Sequence, residues 1–154
     1  MPSVRARLIG GLLLSLAAAI VAQPTSLAPR GLVVSGDRIQ LQQVILNLVM
    51  NGMEAIESTA SGERKITART TLLDGALAEV AIEDSGPGIP PDKSEQIFEP
   101  FFTTKGAGMG MGLSIARTIV ANHSGRIWAT SRREGGAVLC FTLPLAIKPI
   151  FASG

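Results

Sequence analysis

Apolar positions divide the chain into segments of different period. Between Arg38 and Ile56, the residues Leu41, Val44, Ile45, Leu48, Val49 and Ile56 recur at helical spacing, which predicts an amphipathic helix with one apolar stripe. Asp37 stands just before it with Gln40 three residues on, the pattern of a capping box. The Ser-Thr-Ala-Ser-Gly-Glu run at 58–63 ends it. Gly52 costs such a helix about 1 kcal/mol relative to alanine, so it is tolerated for a reason or by accident. The period then changes to two. Lys65–Leu73 carries Ile66, Ala68, Thr70 and Leu72 on one face, and Leu77–Asp84 carries Val80 and Ile82. Asp74-Gly75 between them is a hairpin signal. A second helix is expected over Leu113–Asn122, stopped near His123-Ser124-Gly125. A second hairpin, Arg126–Ser131 with Ala137–Leu143, turns around Arg133-Glu134-Gly135-Gly136. Pro144 onward reads as a frayed tail.

Two stretches resist this scheme. Asp84–Gly112 is rich in glycine and proline, and loops of that size in compact domains usually bind something or move. The other is Met1–Ala22. Arg5 and Arg7 precede a 15-residue apolar run, Leu8–Ala22, with small residues before Gln23-Pro24. These are the ingredients of a secretory signal peptide. The run is shorter than the ~20 residues of a spanning helix, and a buried helix or strand would look the same.

Composition narrows the class. At 154 residues with 46% apolar content, the chain fits one domain with a single core. A net charge of +2 is too balanced for a nucleic-acid or polybasic membrane protein. One cysteine, Cys140, excludes an intramolecular disulfide framework and a multi-cysteine zinc site.

The candidate chemistry lies in the middle. Gly86-Pro87-Gly88 ends a strand, and Gly108-Met109-Gly110-Met111-Gly112 opens into a helix. Glycines admit close approach of backbone to a ligand, and amides at a helix start attract anions, so a phosphate site is one reading and a tight turn the other. No G-x-x-x-x-G-K-[ST] loop is present, Leu113 breaks the G-x-G-x-x-G spacing, and the protein-kinase motif set is missing. Asn47 and Asn51 share a helix face, with Glu54 a turn further along. Amide oxygens are hard ligands suited to Mg²⁺; alternatively these are surface asparagines. Asp84 closes a strand before Ser85-Gly86, as a turn residue or a recognition group. Lys105 beside the glycines could meet phosphate or simply be solvated.

The order of the pieces carries more than any one of them. The stretch Asn47-Leu-Val-Met-Asn51-Gly-Met-Glu-Ala55, then Asp84–Pro90, Phe98–Phe102 and Gly108–Gly112, resembles the N box, first glycine box, F box and second glycine box of bacterial two-component sensor histidine kinases. Gly52 stands where that family usually has alanine. The resemblance covers roughly residues 33–145, flanked by an apolar N-terminal segment, 1–32, and a tail, 146–154. It places the chain in the superfamily shared with gyrase, the heat-shock ninety chaperone and MutL. It implies an α+β fold of the Bergerat type: a two-layer sandwich whose mixed, mainly antiparallel sheet is covered on one face by helices.

By the same resemblance ATP and Mg²⁺ are the cofactors. Asn51 would ligate Mg²⁺ and Asp84 would accept the adenine amino group. Gly86 and Gly88 would let the backbone lie against the base, and the amides of Gly108, Gly110 and Gly112 would cradle the triphosphate, with Ile89, Met109, Met111 and Leu113 also expected among the cofactor-binding residues. Thr103, Thr104 and Lys105 would stand at the start of a lid anchored by Phe98, Phe101 and Phe102. Hydrolytic relatives carry a water-activating glutamate where this chain has Asn47. An amide there suits positioning of a phosphoryl acceptor, so Asn47 and Asn51 are the expected catalytic pair.

The acceptor would be a histidine on a separate dimerisation domain, followed by a response regulator. His123 reads as structural, and no acceptor motif precedes Asn47. The chain is therefore expected to be a truncated kinase, an isolated catalytic module or a partner acting in trans. Such a domain belongs in the cytoplasm, so Leu8–Ala22 is expected to pack as a helix and Ala28–Val34 to supply an edge strand or its lead-in. A membrane contact through the N-terminal segment stays open. Two other functions fit the same motifs: a non-catalytic nucleotide-binding regulator, and an anti-sigma-type serine kinase.

Overall fold

The computed structural model describes residues 32–59, 64–74, 76–103 and 110–146, and the backbone of 5–8. Its elements are strands β1 (Arg5–Leu8) and β2 (Leu32–Ser35), helix α1 (Arg38–Glu57), strands β3 (Ile66–Leu73) and β4 (Leu77–Asp84), helix α2 (Gly112–Asn122), and strands β5 (Arg126–Ser131) and β6 (Ala137–Pro144). Four strands form one sheet in the order β3-β4-β6-β5, and every pairing among the described residues is antiparallel.

One sheet face is apolar because the alternation stays in register across the strands. Ala68, Ile82 and Leu139 stand opposite one another in turn, as do Thr70, Val80 and Phe141. Onto this face α1 lays Leu41, Val44, Leu48, Val49 and Ile56, and α2 lays Ala116, Ile119 and Val120. Truncating a fully buried member such as Leu48 to alanine carries a cost of about 2–5 kcal/mol. The stripe read from the sequence is the buried one, with Ile45 at its edge. Both hairpins form as expected. The result is a two-layer α+β sandwich.

Four local expectations are corrected. Asp37 caps α1 through Oδ1, which accepts the Ile39 and Gln40 N–H groups at 2.8 and 3.1 Å. The reciprocal half of the capping box is replaced, because the Asp37 N–H donates to Nε2 of His123 at 3.0 Å. His123 in turn places Nδ1 2.7 Å from the Ile119 carbonyl, so the N–H tautomer at Nδ1 ties the end of α2 to the start of α1. A methyl at Gly36 would stand 2.5 Å from this ring, which is why the turn before Asp37 is glycine. The histidine is structural, as read.

Leu8 ends strand β1, which pairs with β2 from Arg5↔Ser35 to Leu8↔Leu32 in a separate two-stranded sheet. The expected helix over Leu8–Ala22 therefore does not begin at Leu8; residues 9–31 lie outside the described residues. The strand expected over Ala28–Val34 is seen as Leu32–Ser35, and it is not an edge of the main sheet. Nor does the chain fray at Pro144. Leu145 bridges Val34, and the Ala146 N–H donates to the Val33 carbonyl at 2.8 Å, so the small sheet holds the end of β6. Among the described residues no helix is long and apolar enough to cross a membrane.

Candidate functional site

The site begins where two strands end together. The antiparallel pairing of β4 with β6 brings Glu83 opposite Val138, so Asp84 and Ala137 meet at one edge of the core. Asp84 is only 3% exposed. A carboxylate this deep needs hydrogen bonds, and its Oδ1 accepts the Gly86 N–H at 2.8 Å and the Ala137 N–H at 3.3 Å. The β5–β6 turn closes over it. Gly136 has φ of 92°, and a methyl there would collide with the Asp84 carbonyl oxygen, so only glycine fits on both counts.

Helix α1 approaches from the other side. A methyl at Gly52 would stand 3.3 Å from Asp84 Cβ, tighter than most packing contacts, and 3.8 Å from Oδ2, an ordinary one. The helical glycine thus lets α1 lie close against Asp84, and an alanine there would need the Asp84 side chain to give by a few tenths of an ångström. Ala55, most of a turn further on, packs over Gly86, where an added methyl would lie 3.0 Å from its Cβ. Beyond the glycine, the Ile89 N–H donates to Ser131 Oγ and the Ser131 hydroxyl donates back to the Ile89 carbonyl, both at 2.7 Å. Strand β5 thereby fixes the segment that follows Asp84.

The other end of the site is built differently. Two short 3-10 turns, Pro91–Lys93 and Gln96–Phe98, lead to Phe98, which is buried in the core. Phe101 does not anchor anything there: it is 73% exposed with φ of 65°. Its N–H donates to the Gly110 carbonyl at 3.0 Å. Gly110 has φ of 63°, and a methyl there would stand 2.6 Å from the Phe102 carbonyl oxygen. Residues 101–102 and 110 thus clasp the base of the segment between them. Of the anchors expected from sequence, Phe98 packs, Phe102 is half-buried and Phe101 faces solvent.

Helix α2 starts immediately after this clasp. Its N-cap is Met111, whose side chain provides no capping hydrogen bond. Its first-turn N–H groups therefore have no side-chain acceptor from the cap, an arrangement suited to an anion. Ser114 Oγ donates back to the Met111 carbonyl at 2.9 Å, and Asn47 Nδ2 reaches across from α1 to donate to the Gly112 carbonyl at 2.9 Å. Asn51, one turn along α1, is half-buried, and its amide has no hydrogen-bond partner among the described residues.

Of the residues expected from sequence, the structure joins Asp84 to Gly86 and Asn47 to Gly112 by hydrogen bonds, and seats Gly88 and Ile89 against Ser131. Thr104, Lys105, Gly108 and Met109 lie outside the described residues. Sequence reading missed Gly136 and Ser131. Gly135-Gly136 signalled only a hairpin, and nothing local marks a serine late in β5 as the clamp on Ile89.

Among the described residues no group of three or more His, Cys, Asp or Glu side chains could hold a metal ion. A cation here needs oxygens from its ligand, and the Asn51 amide oxygen is a hard donor of the type Mg²⁺ accepts beside phosphates. Two concavities lie elsewhere, one around His123 and Leu145 and one between Glu95, Arg117 and Arg126. Neither is lined by Asp84 or Asn51.

Comparison with known proteins agrees with this geometry. The family profile described as histidine kinase-, DNA gyrase B- and HSP90-like ATPase matches residues 36–147. The sensor protein FixL of Bradyrhizobium diazoefficiens is 44% identical over 121 residues, spanning 79% of this chain and 24% of FixL. The C4-dicarboxylate transport sensor protein DctS of Rhodobacter capsulatus is 45% identical over 114 residues, spanning 73% of this chain and 17% of DctS. The chain therefore spans about a quarter or less of these relatives. Among solved structures, the catalytic domain of the histidine kinase ThkA superposes with a TM-score of 0.65 at 39% identity, covering 75% of this chain and 74% of that one. The buried carboxylate, the asparagine helix and the clasped glycine loop thus sit in a domain already known in outline: the chain belongs to the histidine kinase-, DNA gyrase B- and HSP90-like ATPase family, and within it carries the catalytic domain of the sensor histidine kinases.

Proposed function

We propose that this domain binds Mg²⁺-ATP and transfers its γ-phosphoryl group to a histidine of a helical dimerisation domain, with a response regulator as the next acceptor. The supporting observation is that one helix reaches both ends of the site. Gly52 presses on Asp84 while Asn47, five residues earlier, holds the Gly112 carbonyl. That separation is about 7.5 Å along the helix axis. In this reading Asp84 accepts the adenine amino group, and Gly86, Gly88 and Ile89 lie along the base. The amides of Gly108, Gly110 and Gly112 meet the triphosphate, with Met109, Met111 and Leu113 beside them and Thr104 and Lys105 near the phosphates. Asn51 would hold Mg²⁺, which supplies charge neutralisation on the phosphate oxygens.

The chain's own task is positioning. Asp84 and the backbone around it fix the base, and the start of α2 fixes the phosphates. A donor group aligned with its acceptor lowers the barrier of phosphoryl transfer without any side chain acting as a base toward water. Exposed Phe101 and Ile115, beside the clasp and on α2, offer apolar contact to an incoming acceptor helix. The names of the relatives support the partner classes, and ThkA has been solved with the response regulator TrrA at 34% identity to this chain and a TM-score of 0.62. Residues 33–145 are the nucleotide-binding unit on this reading, acting in the cytoplasm, where ATP is available.

The test is calorimetric titration with a non-hydrolysable ATP analogue, with and without Mg²⁺, beside transfer of labelled γ-phosphate to a separately supplied acceptor domain. Asn51→Ala should abolish the Mg²⁺ dependence. Asp84→Asn should weaken binding at least tenfold, since it exchanges a charge-assisted hydrogen bond for a neutral one. Unchanged titrations in both variants would refute the site.

A further inference from the structure

We infer that Asn47 is a positioning residue: its amide braces the first turn of α2 through the Gly112 carbonyl and so sets the phosphate-facing amides, rather than handling the transferred group itself. The inference rests on the nucleotide reading above and specifies how one end of that site is held.

Three observations carry it. The Asn47 donor is already committed, at 2.9 Å to a carbonyl 65 residues away. The helix it braces lacks the usual support, because its N-cap is methionine and supplies no side-chain hydrogen bond. Helices commonly rely on such a cap for about 1 kcal/mol. Ser114 from within and Asn47 from α1 both donate to carbonyls at the start of α2, which holds its backbone without occupying its first-turn N–H groups. Finally, the contact is directional. A methyl at Gly112 would sit 3.7–3.9 Å from Asn47 atoms, an ordinary van der Waals distance, so the amide approaches the carbonyl oxygen without crowding the backbone.

The chemistry of the side chain follows from that geometry. Asparagine offers a donor to a carbonyl, whereas aspartate has none when ionised and would turn a carboxylate oxygen toward the Gly112 oxygen. A glutamate at this place, the residue of hydrolytic relatives, likewise could not make the bond. Asn47 also lies on the same helix as Gly52, so α1 sets the spacing between the base end and the phosphate end as one rigid body.

The test compares ATP with adenosine, which reaches the Asp84 end and lacks every phosphate. Asn47→Ala is expected to weaken ATP binding about three- to tenfold and Asn47→Asp by more, with adenosine affinity unchanged in both. Transfer to a supplied acceptor domain should fall at low ATP and recover as ATP is raised, a shift in KM. Asn47→Ser, which keeps a shorter donor, serves if the alanine variant unfolds, with the same selective loss expected. Equal weakening of ATP and adenosine would mean a general structural role and overturn the inference. So would unchanged ATP affinity with transfer lost at saturation, which would put Asn47 at the reacting phosphoryl group. Wild-type titration with both ligands decides the nucleotide reading separately.

Discussion

The two ends of the site are built on opposite principles. Around Asp84 everything is enclosed. Two strands end together, a carboxylate is fixed by two backbone N–H groups, and three glycines pack so closely that their neighbours leave little room for a side chain. Around Gly110 the backbone is held by separate hydrogen bonds, Phe101 to Gly110 and Asn47 to Gly112, with an exposed phenylalanine beside them. The closed end gains its precision from the sheet and core, which cannot shift without unfolding. The open end gains its from a few bonds that can break singly. On the proposed reading, the closed end would recognise a base, which needs a fixed shape, and the open end would deliver a phosphoryl group to a partner, a division of labour to which this division of rigidity is suited.

Substitutions can break this contrast. The largest effect is expected for Gly136→Ala, which strains a backbone at φ of 92° and drives a methyl into the Asp84 carbonyl. It should cost about 3 kcal/mol or more, visible as a lowered Tm in thermal unfolding. A variant as stable as the parent would show that the closed end is not closed.

At the open end the prediction is a pair. Gly110→Ala should retain most of the stability and lose about tenfold or more in ATP-analogue affinity, because the clasp with Phe102 must open to admit the methyl. Gly112→Ala should change affinity by less than about twofold, since its amide persists and its methyl has ordinary room beside Asn47. Similar titrations for the two would remove the clasp from the argument.

Cys140 gives the smallest and sharpest measure. It lies buried in β6, the strand that supplies Ala137 to Asp84, and burial together with Glu79 pushes its thiol up from 9.0 to about 11. The folded state therefore holds its proton where the unfolded state loses it. The contribution to stability is complete below pH 9.0 and fades as pH rises toward about 11. Alkylation at pH 8 should proceed only at the rate of global unfolding. Fast labelling of the native protein would mean that the closed end opens locally.

Much of this was legible in the chain. The α1 stripe and both hairpins follow from periodicity and turn chemistry, which act over a few residues, and the ordered boxes were legible as a resemblance to a known family. The reading failed where distant segments meet. Gln40 satisfied the capping pattern, yet His123 took the Asp37 N–H from 86 residues away. Pro144–Ala146 looked like a tail until β2 paired with it. Phe101 shared a motif with Phe98 and nevertheless faces water, because its left-handed backbone turns it from the core.

What the sequence alone determined is which residues are buried and which chemistry is present: an apolar stripe, alternating strands, an aspartate before glycines, two asparagines a turn apart. These depend on local period and side-chain type. What only the tertiary structure decided is who faces whom: Gly52 and Gly136 against Asp84, Ser131 against Ile89, Asn47 against Gly112. Such contacts are set by how the helices and sheet pack, and packing distances of a few ångströms are written in no single segment.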